Sequence, residues 1–304
     1  MKVAVMGAGG IGAYTGGRLA SAGADVAFIA RGAQLAALRE TGLTIRSPRG
    51  DAHLARVSAT SDPTAVGIAD LVIFSVKLWD TEAAAEAMLP MVGPKTLVVT
   101  FQNGMDSADI LSKYVGREKV VRGAYYISAH VASPGIIEDT GTENRMMIDG
   151  LEGDGRLASF KASCDAAVGL VCEIASPEID FIWRKFVGLT AFSGSTALLR
   201  KPIGAIYGHP VTRGFLHDLV TETAAVAFAK GARLPATIAE TVFGQLSKLA
   251  PGAYASMAVD VMHGRRLELP WLSGRVHKLG EEVGMATPAH TAVYRGLVLH
   301  EMGQ

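Results

Sequence analysis

The chain has 304 residues, with 29 Lys and Arg balanced by 29 Asp and Glu, and is 49% hydrophobic and 19% charged. A net charge of zero argues against a nucleic-acid binder or a peripheral membrane protein, which carry a basic surplus or a basic face, and the apolar content excludes a disordered chain. The length admits two domains, because single hydrophobic cores stop growing near this size.

Met1 and Lys2 lead into an apolar run that ends in glycines, too short for the apolar core of an export signal. Two cysteines, Cys164 and Cys172, make neither a disulfide framework nor a metal cluster, so a reducing cytoplasm is expected. The pattern from Lys2 to Met6, through the glycine cluster and on to about Ala22, reads as strand, tight turn and helix. Asp25 to Ala30, Leu71 to Val76 and Thr96 to Thr100 read as further strands, separated by segments of helical spacing. Such alternation predicts a parallel, doubly wound α/β sheet. Between Leu43 and Ser58 the alternation and the Ser47-Pro48-Arg49-Gly50 turn predict a hairpin. Val120 to Val131 and Arg145 to Ile148 read as later strands.

After Ser176-Pro177 strand-like runs give way to Ala-rich helical segments. A Rossmann-type domain over 1–176 and an all-helical domain over 177–304 are therefore expected. The apolar stretch from Phe186 to Leu199 contains Gly, Ser and Thr and is too short to span a bilayer, so it reads as a buried helix. Pro202, Pro210, Pro235, Pro251, Pro270 and Pro288 mark helix boundaries.

Gly7-Ala8-Gly9-Gly10-Ile11-Gly12 matches the G-x-G-x-x-G fingerprint in its required context, after a strand and opening a helix. Gly7 serves a tight turn, Gly9 a close backbone approach to a pyrophosphate, and Gly12 close helix-to-strand packing. The helix N-terminus offers free N–H groups to the phosphate. Where an NAD enzyme places Asp or Glu after the second strand, this chain has Ala30-Arg31-Gly32. Arg31 suits the 2′-phosphate of NADP(H), since each charge-assisted hydrogen bond contributes about 1.5–3 kcal/mol. A solvated surface arginine is the alternative.

Three more clusters complete a pattern: Ser75-Val76-Lys77-Leu78-Trp79 after one strand, Gln102-Asn103-Gly104 after another, and Trp183-Arg184-Lys185 opening the helical region. With Ser256-Met257-Ala258-Val259-Asp260 and Glu268 further on, the chain resembles the ketopantoate reductase family, the 2-dehydropantoate 2-reductases. The resemblance runs from residue 1 to at least Thr287-Pro288. It implies hydride transfer from NADPH to a 2-oxo acid in a cleft between a Rossmann and a helical domain. It implies that Lys185 is catalytic, with Glu268 as the cleft glutamate and Asn103 in the Asn-Gly loop. Lys77 and, by spacing, Ala129 match cofactor contacts.

The residue types fit that chemistry. Ketone reduction leaves negative charge on oxygen, which Lys185 can stabilise and protonate. Burial lowers its pKa while a nearby Glu268 raises it. Asn103 donates and accepts at once and so can orient ribose and substrate, Lys77 follows a strand end facing the ligand crevice, and Ser256 suits a substrate carboxylate. The plainer alternatives are a solvated Lys185–Glu268 pair, an Asn-Gly turn, a loop lysine, and a hydroxyl satisfied within its own helix.

The family's asparagines four and eight residues after its lysine fall here on Leu189 and Ser193. Leaving ketopantoate's hydroxyl unsatisfied costs about 1–3 kcal/mol, so a 2-oxo acid with an apolar side chain fits better. Glu268-Leu269-Pro270-Trp271 also departs, lacking the acidic residue two places after the glutamate. His209, His263, His277 and His290 lack metal-ligand spacing, and no metal is expected. Ser193-Gly194-Ser195 is no nucleophile elbow, and Tyr125-Tyr126 pack on the sheet or line the cofactor cleft. Partners are a small 2-oxo acid, with neither nucleic acid nor membrane, and a second copy of the chain in a homodimer. An NADPH-binding sensor without turnover and a β-hydroxy acid or imine-reducing dehydrogenase are the rival readings.

Overall fold

The computed structural model describes residues 1–141, 143–149 and 154–304. They form two compact units, Met1–Gln102 with Asp106–Pro177, and Asn103–Met105 with Glu178–Gln304. The short Asn103–Met105 segment thus groups with the helices although it lies in the first half of the sequence.

In the first unit the chain runs β1 (Lys2–Met6), α1 (Gly10–Ser21), β2 (Asp25–Ile29), α2 (Gly32–Glu40), β3 (Leu43–Arg46), β4 (Ala52–Leu54), β5 (Ser58–Thr60) and β6 (Ala69–Phe74). It continues through α3 (Thr81–Ala87), β7 (Val92–Thr100), α4 (Ser107–Val115), β8 (Val120–Tyr126), β9 (Ala129–Ser133), β10 (Ile136–Asp139), β11 (Arg145–Ile148), α5 (Gly155–Ala166) and β12 (Cys172–Ile174). The main sheet has the order β12-β11-β8-β7-β6-β1-β2-β5. Every pairing from β8 to β5 is parallel, and β11 runs antiparallel to β8.

Alternation along the strands explains why helices cover both faces. Val3, Val5, Leu71 and Ile73 point into one core with Tyr14 and Leu19 of α1 and Phe160 of α5. Ala4, Met6, Val72 and Phe74 point into the other, with Ala84 and Ala85 of α3 and Leu111 of α4. A strand buried on both sides reads as a continuous apolar run, which is why β1, β6 and β7 were legible from residue type alone.

The hairpin expected between Leu43 and Ser58 is present as β3 and β4, paired antiparallel. It belongs to a second, four-stranded sheet of order β4-β3-β10-β9, whose Leu43, Ile45 and Ile137 share the core of α1. The apolar run Val120 to Val131 is two strands in two sheets. β8 stays in the main sheet, whereas β9 leaves it to pair with β10, and Ser128 O between them accepts from Thr140 N at 3.0 Å.

The second unit comprises α6 (Phe181–Leu199), α7 (Ile203–Gly208), α8 (Pro210–Ala229), α9 (Ile238–Leu246), α10 (Ser256–Met262), α11 (Ser273–Glu282) and α12 (Pro288–Leu297). α6 packs against each of the others. It stops at Arg200, whose φ of 51° is left-handed, and Pro202 then caps α7. Among the described residues no helix is long and apolar enough to cross a membrane.

A buried imidazole ties four of these helices together. His290 of α12 is 0% exposed, and its Nε2 lies 3.0 Å from Leu219 O and 2.7 Å from Thr223 Oγ1 on α8. A carbonyl only accepts, so the ring proton sits on Nε2 and Nδ1 accepts from Ser273 Oγ of α11 at 3.3 Å. Thr223 Oγ1 is in turn 3.0 Å from Thr190 Oγ1 of α6. Burial pulls the His290 pKa down to about 4, against the hydrogen bond to Leu219, so the ring is neutral at physiological pH.

Candidate functional site

In the first unit the glycine loop turns nearly all of its carbonyls away from the space before α1. Met6 O accepts from Ser75 N at 2.9 Å and Gly7 O from Ser75 Oγ at 2.9 Å. Ala8 O accepts from Gln34 Nε2 at 3.0 Å, and Gly9 O from Ala13 N at 2.9 Å. Gly7 N and Ala8 N both donate to Ile29 O, at 3.3 and 3.2 Å. What remains is the set of N–H groups of Gly10, Ile11 and Gly12, which open α1 and have no intrahelical acceptor. A strip of outward donors at a helix N-terminus is an anion site, suited to a pyrophosphate.

The glycines are required where they stand. Gly7 has φ of +100°, a conformation that L side chains rarely adopt. Nothing lies within 4 Å of where a Cβ on Gly9 would be, which leaves room for a ligand against the backbone. A Cβ on Gly12 would collide with Gly7 O and Ser75 Oγ, so α1 could not approach β1 as it does. A Cβ on Gly10 would lie 2.8 Å from Ala129 C, and this places Ala129, at the start of β9, directly beside the loop.

Arg31 is exposed and occupies the N-cap position of α2, two residues past β2. The Ile29 carbonyl that receives Gly7 N and Ala8 N fixes the end of that strand to the glycine loop. Lys77 is exposed at the end of the β6 strand loop, with its ammonium 5.5 Å from the Trp79 ring centroid. Gln102, quoted in the sequence only as part of a motif, pins this loop: its Nε2 donates to Val76 O and to Thr81 Oγ1, each at 2.9 Å. The loop's peptide groups fit the pyrophosphate of a nicotinamide dinucleotide.

In the second unit Lys185, on the second turn of α6, donates from Nζ to Asn103 Oδ1 at 3.2 Å. Burial of the ammonium lowers the Lys185 pKa to about 8, opposed by the Glu268 carboxylate, which raises it. Glu268 is 7% exposed and directly precedes the turn Leu269–Trp271. The fold therefore assembles a cation, an amide and a carboxylate from positions far apart in the chain.

The remaining candidates of the second unit lie on α6 and α10. Leu189, one helical turn beyond Lys185, is half-buried against the helical core. Ser193, another turn on, is 1% exposed, and its hydroxyl has no hydrogen-bond partner. Ser256 is exposed at the first position of α10. No group of three His, Cys, Asp or Glu side chains suited to a metal occurs among the described residues.

Both halves of the chain match known proteins. Residues 3–152 match the family model for ketopantoate reductase PanE/ApbA, and residues 179–301 match its C-terminal counterpart. A 2-dehydropantoate 2-reductase of Halobacterium salinarum is 30% identical over 291 residues, covering 95% of each chain. The crystal structure of a PanE/ApbA family ketopantoate reductase from Ralstonia eutropha JMP134 superposes with a TM-score of 0.89 at 33% identity, over 99% of this chain and 98% of that one. A D-mandelate dehydrogenase crystallised with NADH and anilino(oxo)acetate shares the fold, with a TM-score of 0.87 at 23% identity over 99% and 98% of the two chains. With its glycine loop, its half-buried lysine and both halves matching one family, the chain belongs to the ketopantoate reductase family of oxidoreductases.

Proposed function

We propose that the protein uses NADPH to reduce a 2-oxo acid to the 2-hydroxy acid, with Lys185 as general acid. The observation that carries this reading is the group of Lys185 and Asn103, both half-buried, with the buried Glu268. An ammonium of pKa about 8 is mostly charged at neutral pH yet parts with its proton readily, as a general acid must. A dinucleotide held by the glycine loop would supply the hydride that the carbonyl carbon accepts. Lys185 Nζ gives its proton to the oxygen on which negative charge develops, and solvent returns one. One 2-oxo acid, one NADPH and one proton thus become 2-hydroxy acid and NADP⁺.

Glu268 favours the charged form of Lys185 between turnovers. Asn103 engages the ammonium through Oδ1, and its amide N–H groups serve ribose or substrate. The loop Gly7-Ala8-Gly9-Gly10-Ile11-Gly12 receives the pyrophosphate on the N–H groups of Gly10, Ile11 and Gly12, Lys77 and Ala129 flank it, and Ser256 takes the substrate carboxylate. NADPH is preferred over NADH because Arg31, with no acidic neighbour at the end of β2, faces the 2′-phosphate.

The substrate side chain is apolar. Leu189 offers hydrocarbon one turn from Lys185, and Ser193 is enclosed in the helical core, so neither supplies the amide that a substrate hydroxyl would need. Steady-state oxidation of NADPH and NADH over a panel of 2-oxo acids tests the reading. Turnover with NADPH preferred, fastest on apolar members, is expected. Faster turnover of ketopantoate would overturn the pocket assignment, and no turnover on any member would overturn the reaction.

A further inference from the structure

We propose that Gln34 is a positioning residue of the dinucleotide site, holding the glycine loop and Arg31 in register with each other. The proposal rests on the NADPH reading above. Gln34 lies in the first turn of α2 and is half-buried. Its Nε2 donates to Ala8 O at 3.0 Å, and its Oε1 accepts from Gly135 N at 3.0 Å. A carbonyl can only accept and a peptide N–H can only donate, so these two partners fix the amide's orientation.

Three segments distant in sequence therefore meet at one side chain. The Gly135 turn is itself anchored: Gly135 O accepts from Thr44 N at 2.8 Å, and a Cβ on Gly135 would stand 3.2 Å from Ala37 Cβ of α2. With Gly135 fixed against α2, the free end of the Gln34 amide determines where Ala8 sits. Arg31 belongs to the same helical turn, its carbonyl accepting from Leu35 N at 3.3 Å. Gln34 thus sets the separation between the peptide donors of the loop and the guanidinium that caps α2.

The electrostatics give the contact a second consequence. A carbonyl oxygen is the negative end of its peptide dipole, and one turned toward a phosphate repels it. Backbone groups and Ser75 occupy the carbonyls of Met6, Gly7 and Gly9, whereas the Ala8 carbonyl is held by Gln34. Without that donor the carbonyl is free to rotate toward the anion, and α2 is free to shift against the loop. NADPH, which spans both the loop and Arg31, loses more than NADH, which uses the loop alone.

The test is the Kd of NADPH and of NADH, by cofactor-fluorescence titration of the full chain, for the unaltered protein, Gln34→Glu, Gln34→Leu and Arg31→Ala. Gln34→Glu keeps the size and the acceptor for Gly135 N but removes the donor to Ala8 O. Gln34→Leu gives the same answer if the added carboxylate unfolds the loop. Both should raise the Kd for NADPH by about tenfold, the loss of roughly one hydrogen bond, and that for NADH by less, so that the preference narrows. Equal losses for the two cofactors, or none, would overturn the register claim. If Arg31→Ala narrows the preference and the Gln34 variants do not, Gln34 alone is refuted. An unaltered protein without preference for NADPH, unmoved by Arg31→Ala, would refute the NADPH reading and the register claim together.

Discussion

Replacing Glu268 by Gln removes the carboxylate that keeps a proton on Lys185 while leaving the volume of the site almost unchanged. Lys185 sits at a pKa of about 8 as a balance, lowered by burial and raised by Glu268. A carboxylate close to a cation raises its pKa by about 1–3 units, so the variant should hold Lys185 near 5–7. At pH 7 the protonated fraction falls from about nine-tenths to about one-half for a shift of one unit, and to about one-tenth for two units. A general acid works from its protonated form, so reduction is lost as pH rises through the pKa. The alkaline limb of the kcat profile should therefore stand near pH 8 in the unaltered protein and move to lower pH in Glu268→Gln. Oxidation of the 2-hydroxy acid uses the neutral amine, so its rising limb should move down by the same amount. The assay is kcat against pH in both directions with both substrates saturating. A limb that stays put, or a loss uniform across pH, would show that Glu268 does not act through the Lys185 proton.

Lys185→Ala should lower kcat by about 10²- to 10⁴-fold, the usual span for a lost general acid, with the Kd for NADPH little changed; single-turnover kinetics and cofactor titration separate the two. Gly12→Ala drives a methyl into Gly7 O and Ser75 Oγ, and should cost about 1–3 kcal/mol in urea unfolding; an unchanged midpoint would contradict the packing described for α1. His290 has a pKa near 4 in the fold against 6.5 for an ordinary imidazole, so the unfolded chain takes up the proton first as pH falls. Stability present above pH 6.5 is lost progressively down to about pH 4, by about 3 kcal/mol, and His290→Gln, which does not titrate, should flatten that loss in denaturant titrations.

Features set by neighbouring residues were legible in the sequence. The apolar run Lys2 to Met6 followed by glycines became β1, the loop and α1 within a residue or two of the expected bounds. The prolines at 202, 210 and 288 do open helices. Contacts between remote segments were not legible. The second sheet depends on a parallel pairing of Thr44 with Ile136, and no local period in strands of three to five residues announces it. Lys185 and Asn103 are 82 positions apart, and only the family resemblance suggested that they meet. Gln34 reaches partners 26 and 101 positions away, and nothing in its own neighbourhood singles it out. His290 read as one of several scattered histidines, because the hydroxyls that make it a core residue come from Thr223 and Ser273 on other helices.

The outward donors of the glycine loop are main-chain groups, and no exchange of one side chain deletes them. Arg31, in contrast, is an exposed residue at the cap of α2, and its side chain makes no cap hydrogen bond. On the proposed reading, cofactor capture is inscribed in the path of the backbone and cofactor choice in a surface letter. On that reading, exchanging the residue at position 31 would change which nicotinamide cofactor is preferred without refolding the sheet.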